Sequence, residues 1–218
     1  AQTDKQRAIE QYLDYVIARY SAKIDLWEIC NEATPSREWY EFVIGYLREH
    51  DPYQRPISTN WEEPDLANLD YLSIHWYNPD SNSAEAIADA INFIGNAHSH
   101  YPQPVLISEL GFKNSSWFEG STTALRIISW LSSFKQMGIV FWNQGQNGIY
   151  QNPNNANAYL GPLERGTLRQ LSAFFPAMSL PIEQEMFTIE AARIQLHVLK
   201  NQDYYLAYLL KLNANNSP

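Results

Sequence analysis

Trp27-Glu28-Ile29-Cys30-Asn31-Glu32-Ala33, WEICNEA, runs apolar and aromatic residues straight into an Asn-Glu pair and then stops. A buried strand is held by its apolar side chains, so two polar groups delivered at its end serve something other than the core. In parallel α/β folds that end is where ligands gather and where catalytic acids are placed. The fold therefore turns on whether the rest of the chain builds such a sheet around this strand.

Working outward, Thr3-Asp4-Lys5-Gln6 has the form of a capping box, and Ile9, Tyr12, Leu13, Val16, Ile17 and Tyr20 follow at helical spacing. The apolar stretch 24–31 reads as a strand, and Ser36 to Glu49 as a helix that Asp51-Pro52 ends. Pro56 to Asn60 and Tyr71 to Tyr77 read as strands, Ser83 to Ala97 as a helix, and Val105 to Glu109 as a strand. Ser121 to Met137 reads as a helix stopped by Gly138, Ile139 to Trp142 as a further strand, and Leu163 to Phe175 as a helix after a long polar loop. Short apolar strands alternating with helices predict a parallel α/β sheet covered by helices. Beyond Pro176, Met186 to Ile189, Ile194 to Leu199 and Tyr204 to Leu210 read as strands of a small antiparallel unit, the last two joined by a Lys200-to-Asp203 turn. The domain reading is thus 1–176 and 177–218.

Composition narrows the class of function. The 218 residues are 45% hydrophobic, enough for a sizeable core, and carry a net charge of −9, which argues against nucleic acid and anionic membranes as partners. Seven Trp and fourteen Tyr are the more distinctive feature: such rings fill cores, and where exposed they suit flat ligands such as sugar rings. The single cysteine, Cys30, excludes an intramolecular disulfide and is read as buried filler in its strand. No apolar run is long enough for a membrane span, and no signal peptide opens the chain, which starts at Ala1.

The residues that finish the strands are Asn31 and Glu32, Asn60 and Trp61, His75 and Tyr77, Glu109, and Trp142. Two carboxylates, amides, a histidine, a tyrosine and indoles on one face form the inventory of a glycosidic-bond cleaving site. Cleavage with retention needs one carboxylic acid to protonate the leaving oxygen and one carboxylate to attack the anomeric carbon, about 5 to 5.5 Å apart. Glu32 and Glu109 are 77 residues apart, about three strand-helix units of a barrel, which places them across the mouth of a closed eight-stranded barrel. In an open sheet the same spacing would part them by about 15 Å. A partly apolar setting for Glu32, before Ala33-Thr34-Pro35, would keep it protonated as the acid. Gly111 permits close approach near Glu109, which Tyr77 is placed to keep ionised by a hydrogen bond.

The motifs at these ends have a family likeness. LWEICNEA resembles the fourth-strand motif of the clan A retaining glycoside hydrolases, SIHWY their sixth-strand His-x-Tyr, PVLISELGF their seventh-strand Glu-x-Gly, and GIVFWNQ their eighth strand with a sugar-stacking Trp. The resemblance is to family 5-like members, the cellulase and β-mannanase group, and covers roughly Gln6 to Phe175. It implies a (β/α)8 TIM barrel of which strands four to eight are present, followed by a small sandwich-like β unit. It implies Glu32 as acid/base, Glu109 as nucleophile, Asn31 on the sugar 2-hydroxyl, His75 and Tyr77 lining the cleaved-sugar subsite, and Trp142 as its floor. Apart from the resemblance, Trp61 is read evenly as core or subsite, and Trp117, in the loop after the 105–109 strand, is read as an aglycone-side platform.

The expected reaction is double displacement on a β-linked glucan or mannan, with no metal or organic cofactor, because two carboxylates suffice. His98-Ser99-His100 ends an amphipathic helix, where His favours the dipole, and is not read as a metal site. The partners expected are the polysaccharide and either the remaining barrel segment or another copy, in a secreted or cell-envelope setting. Two alternatives remain: a non-catalytic carbohydrate-binding or assembly protein derived from such a barrel, and an inverting hydrolase. Glu28 shares the alternation of Glu32 and is read as pointing into the barrel in a structural role.

Overall fold

The computed structural model of the protein describes residues 4–59, 66, 68–78, 84–97, 99, 102–112, 121–141, 162–175 and 181–212. The chain divides into two compact units, Ala1–His75 with Tyr101–Leu106, and Trp76–His100 with Ile107–Pro218.

In the first unit, helix α1 (Asp4–Tyr20) leads to strand β1 (Trp27–Glu28), helix α2 (Arg37–His50) and strand β2 (Ile57–Ser58). The two strands pair in parallel, Trp27 opposite Ile57 and Glu28 opposite Ser58. Both are shorter than their apolar runs predict. Upstream, the N–H groups of Lys23 and Ile24 bond back to the Tyr20 carbonyl at 2.8 and 3.2 Å, closing α1 instead of extending β1. Downstream, Ile29 N–H still reaches Ser58 C=O at 3.0 Å, and then the chain bends at Asn31 and Glu32. Leu13 and Ile17 of α1 meet Tyr40, Val43, Ile44 and Leu47 of α2, together with Ile57, Leu66 and Leu69, in one buried cluster. Each such side chain contributes about 1.5–3 kcal/mol by leaving water.

Asp51 ties this unit together as the residue that caps α2. Its buried carboxylate accepts from the Trp27 indole and from the Tyr53 and Arg55 backbone N–H groups, each at 3.0 Å. Burial is the strongest single influence and pushes its pKa up; the three donors and the Arg55 charge together outweigh it and hold the carboxyl below its ordinary value. The predicted helix stop at Asp51-Pro52 is therefore also a buried anchor for β1.

Strands β3 (Leu72–Asn78), β4 (Val105–Phe112) and β5 (Gly138–Phe141) form a sheet in that order, linked through helices α3 (Ala84–Ala97) and α4 (Ser121–Phe134). The strand-helix alternation expected from the sequence is borne out. β4 runs three residues past Glu109, so Glu109 lies within the strand and does not finish it.

Helix α4 is buried nearly all round, with Ala124, Leu125, Ile127, Ile128, Leu131 and Phe134 out of solvent, because it packs against α3, against α5 (Pro162–Phe174) and against the tail sheet. Its end differs from expectation. Gly138 opens β5, and the left-handed residue that closes the helix is Gln136, φ 56°. Met137 N–H bonds to Ser132 C=O at 2.8 Å and Gln136 N–H to Ser133 C=O at 3.0 Å, the paired bonds of a Schellman cap, with Met137 buried as its apolar plug.

The tail is a three-stranded antiparallel sheet, β6 (Glu183–Ile189), β7 (Ile194–Lys200) and β8 (Tyr205–Lys211). Asn201 makes the β7–β8 turn, its side-chain oxygen accepting from Asp203 and Tyr204 N–H at 2.9 and 2.8 Å. Tyr208 stacks on Trp130 and Phe134 of α4, ring centroids 5.7 Å apart in each case. On the same face, opposite Tyr208, sits His197, which is 1% exposed. Burial, reinforced by the nearby Lys135 charge, pushes its pKa down to about 4.

Candidate active site

Asn31 and Glu32 lie in the bend beyond β1, both exposed. Glu32 has φ 47°, in the left-handed region that side chains other than Gly, Asn and Asp seldom occupy. Its Oε1 is 2.9 Å from Nδ1 of His75, a ring whose side chain is 3% exposed against 51% for Glu32. With the proton on Nδ1 the imidazole donates to the Glu32 carboxylate, and with the proton on the carboxyl group Glu32 donates to Nδ1. The partly apolar setting expected for Glu32 is thus replaced by a half-exposed carboxylate facing a buried histidine.

β3 supplies His75 as one of three rungs. Residues 73 and 75 share a face by the two-residue period of the strand, and Tyr71 lies immediately before it. The buried Tyr71 hydroxyl donates to the Trp27 carbonyl at 2.9 Å, the buried Ser73 hydroxyl donates to the Glu28 carboxylate, and His75 meets Glu32. Burial, with Glu28 and Asp70 adding to it, pushes the Tyr71 phenol well above its ordinary pKa, so it serves as a donor throughout the physiological range. Glu28, read from sequence as structural, is exposed, and its carboxylate is held by Ser73.

Glu109 is half-buried on β4. The structure brings Glu32 and His75 together. Tyr77 belongs to β3, but its side chain, like Trp61, Trp117 and Trp142 as whole residues, lies outside the described residues, and so does the expected Tyr77 hydrogen bond to Glu109. Cys30, expected as buried strand filler, is half-buried beyond β1, with its thiol 3.6 Å from the Ala33 carbonyl. The left-handed turn at Glu32 and the Ser73–Glu28 rung were not read from sequence. A strand period starting at His75 carries the signal for Ser73, whereas nothing local to Glu32 signals its backbone.

The glycosyl hydrolase catalytic core model matches residues 6–175, which include both carboxylates and His75. The chain belongs to the glycosyl hydrolase catalytic core family. The resemblance drawn from its four strand-end motifs is thereby borne out over the same span. Among solved structures, this glycosyl hydrolase chain is similar to the hyperthermostable endo-1,4-β-D-mannanase from Thermotoga petrophila RKU-1, at 16% identity and TM-score 0.59, covering 78% of this chain and 65% of that one. A second structure of an endo-β-1,4-mannanase from Thermotoga petrophila gives 14% identity and TM-score 0.60, covering 94% and 64%. A tri-modular family 5, subfamily 4 endo-β-1,4-glucanase from Bacillus licheniformis gives 13% identity and TM-score 0.57, covering 97% and 58%. The likeness is one of fold, that of barrel hydrolases, and the chain spans 58–65% of the length of these three structures. None of the curated proteins matches the chain.

Proposed function

We propose that this chain carries the catalytic carboxylates of a retaining glycoside hydrolase acting on β-linked glucan or mannan. Glu109 attacks the anomeric carbon while Glu32 protonates the departing glycosidic oxygen, giving a glycosyl ester on Glu109. Glu32, now ionised, takes a proton from water, which attacks the same carbon and releases the sugar with its configuration retained. Asn31 bonds the 2-hydroxyl, His75 and Tyr77 line the cleaved-sugar subsite, Trp142 floors it, and Trp61 and Trp117 extend the aromatic surface.

The observation that carries this reading is Glu32 itself: a glutamate in left-handed backbone, its carboxylate 2.9 Å from a buried histidine, inside a hydrolase-core match. Other described non-glycine residues, Gln136 at its helix cap among them, are left-handed too, so the support comes from that backbone together with the contact to a buried histidine inside the match. The mannanase and glucanase names of the similar structures support a β-1,4-linked substrate.

In this reading β1 to β5 are barrel strands four to eight, residues 1–176 are the catalytic part and 177–218 its β appendage. The remainder of the barrel, or another copy, completes the cleft, and the polysaccharide is met outside the cell or at its envelope. The test is the anomer released first from β-1,4-linked manno- and gluco-oligosaccharides, followed by proton NMR. Initial release of the β anomer supports double displacement; initial release of the α anomer contradicts it.

A further inference from the structure

The turn that holds Glu32 has an anchor of its own. The Ala33 carbonyl, one residue on, receives two donors: the Tyr40 hydroxyl at 3.4 Å and the Cys30 thiol at 3.6 Å. Tyr40 is 2% exposed, sits in the core cluster of the first unit and meets Trp39 edge-on, ring centroids 5.5 Å apart. Its ring is therefore fixed by packing, and its hydroxyl reaches from the core to the bend. The segment is pinned on either side as well, by Ile29 N–H on Ser58 C=O at 3.0 Å and by Ser36, which caps α2 by accepting from Trp39 N–H. Between these points Glu32 takes φ 47°, a conformation its long side chain does nothing to favour.

We propose that Tyr40 and Cys30 are positioning residues for Glu32: by holding the Ala33 carbonyl they fix the left-handed turn that aims the Glu32 carboxylate at His75. This rests on the reading of Glu32 as acid/base, but the geometry it invokes is measurable without turnover. If Tyr40 were only core, its ring would matter and its oxygen would not. Tyr40→Phe keeps the ring and removes the oxygen, so the substitution separates the two roles.

The experiment is NMR on isotopically labelled protein, wild type against Tyr40→Phe, Cys30→Ala and Cys30→Ser. It reads the Glu32 backbone coupling and carbon shifts for the left-handed turn, and the His75 ring nitrogen shifts for the contact with Glu32. In Tyr40→Phe and Cys30→Ala, still folded by their methyl dispersion, the Glu32 signals move toward extended values and the His75 Nδ1 signal shifts. Cys30→Ser, which keeps a donor, stays near wild type. Glu32 and His75 signals that coincide with wild type in both Tyr40→Phe and Cys30→Ala overturn the proposal. A failure of the catalytic reading would appear separately, as an unexpected anomer with this turn intact.

Discussion

Glu32 combines the account's chemistry and its strain in one residue. A left-handed glutamate costs about 1–3 kcal/mol, which the donors on Ala33 and the His75 contact offset. As the acid, it matters most for leaving groups that need a proton. Glu32→Gln is therefore expected to lower kcat/KM on β-1,4-linked oligosaccharides by about 10²–10⁴ while sparing the first step on dinitrophenyl glycosides, whose leaving group departs unprotonated. Equal losses on both substrates contradict the assignment. Asp51 makes a different prediction. Its carboxyl is held below its ordinary value, so its contribution is complete above the unfolded pKa of 3.8 and fades as pH falls through the lower folded value. Asp51→Asn is expected to cost about 1–3 kcal/mol in urea unfolding at pH 7 and to blunt the acid-induced loss of stability. Glu32 and His75 were legible in the sequence as residues near strand ends, and the structure places them in contact, whereas Glu109 lies within β4 and not at its end. The backbone of Glu32 was not legible, because its anchors are a tyrosine eight residues on and a thiol two residues back, neither marked by local propensity.

At the scale of elements, what apolar patterning records and what it omits are both visible. The periodicity that marks Ser36 to Glu49 places α2 within one residue, since a Ser cap and a buried face define a helix locally. β1 shrinks to Trp27–Glu28 because its extent depends on how much of β2 lies opposite, which no run of apolar residues encodes. The end of α4 was misplaced at Gly138 because glycine is the common left-handed cap, whereas here the paired bonds from Gln136 and Met137 hold a non-glycine residue in that role. Ser36→Ala is expected to destabilise the first unit by about 1 kcal/mol, read as a shift in urea midpoint with unchanged slope. In the tail sheet, His197 stays neutral in its pocket with pKa about 4, while the unfolded chain takes up a proton below about 6.5. The sign follows: stability is full above pH 6.5 and is lost as pH falls toward 4, by up to ~3 kcal/mol. His197→Gln is expected to flatten that slope in a pH series of thermal melts; a slope unchanged from wild type contradicts a buried neutral histidine.

For the whole molecule, the alternation of strand and helix through residue 175 and the antiparallel tail were readable because each element carries its own period. The division into two packing units, which cuts through β3 and β4, was not, because it depends on long-range contacts. The chain spans 58–65% of the solved structures it is similar to, and the proposed reaction requires Glu32 and Glu109 to work as a pair within it. The most direct measurement is intact mass after incubation with 2-deoxy-2-fluoro β-gluco and β-manno fluoride probes, beside Glu109→Gln. A single added glycosyl mass with at least one probe is expected, mapped to Glu109 and absent from the variant. No adduct on the folded protein with either probe, or an adduct that persists in Glu109→Gln, contradicts the proposed reaction.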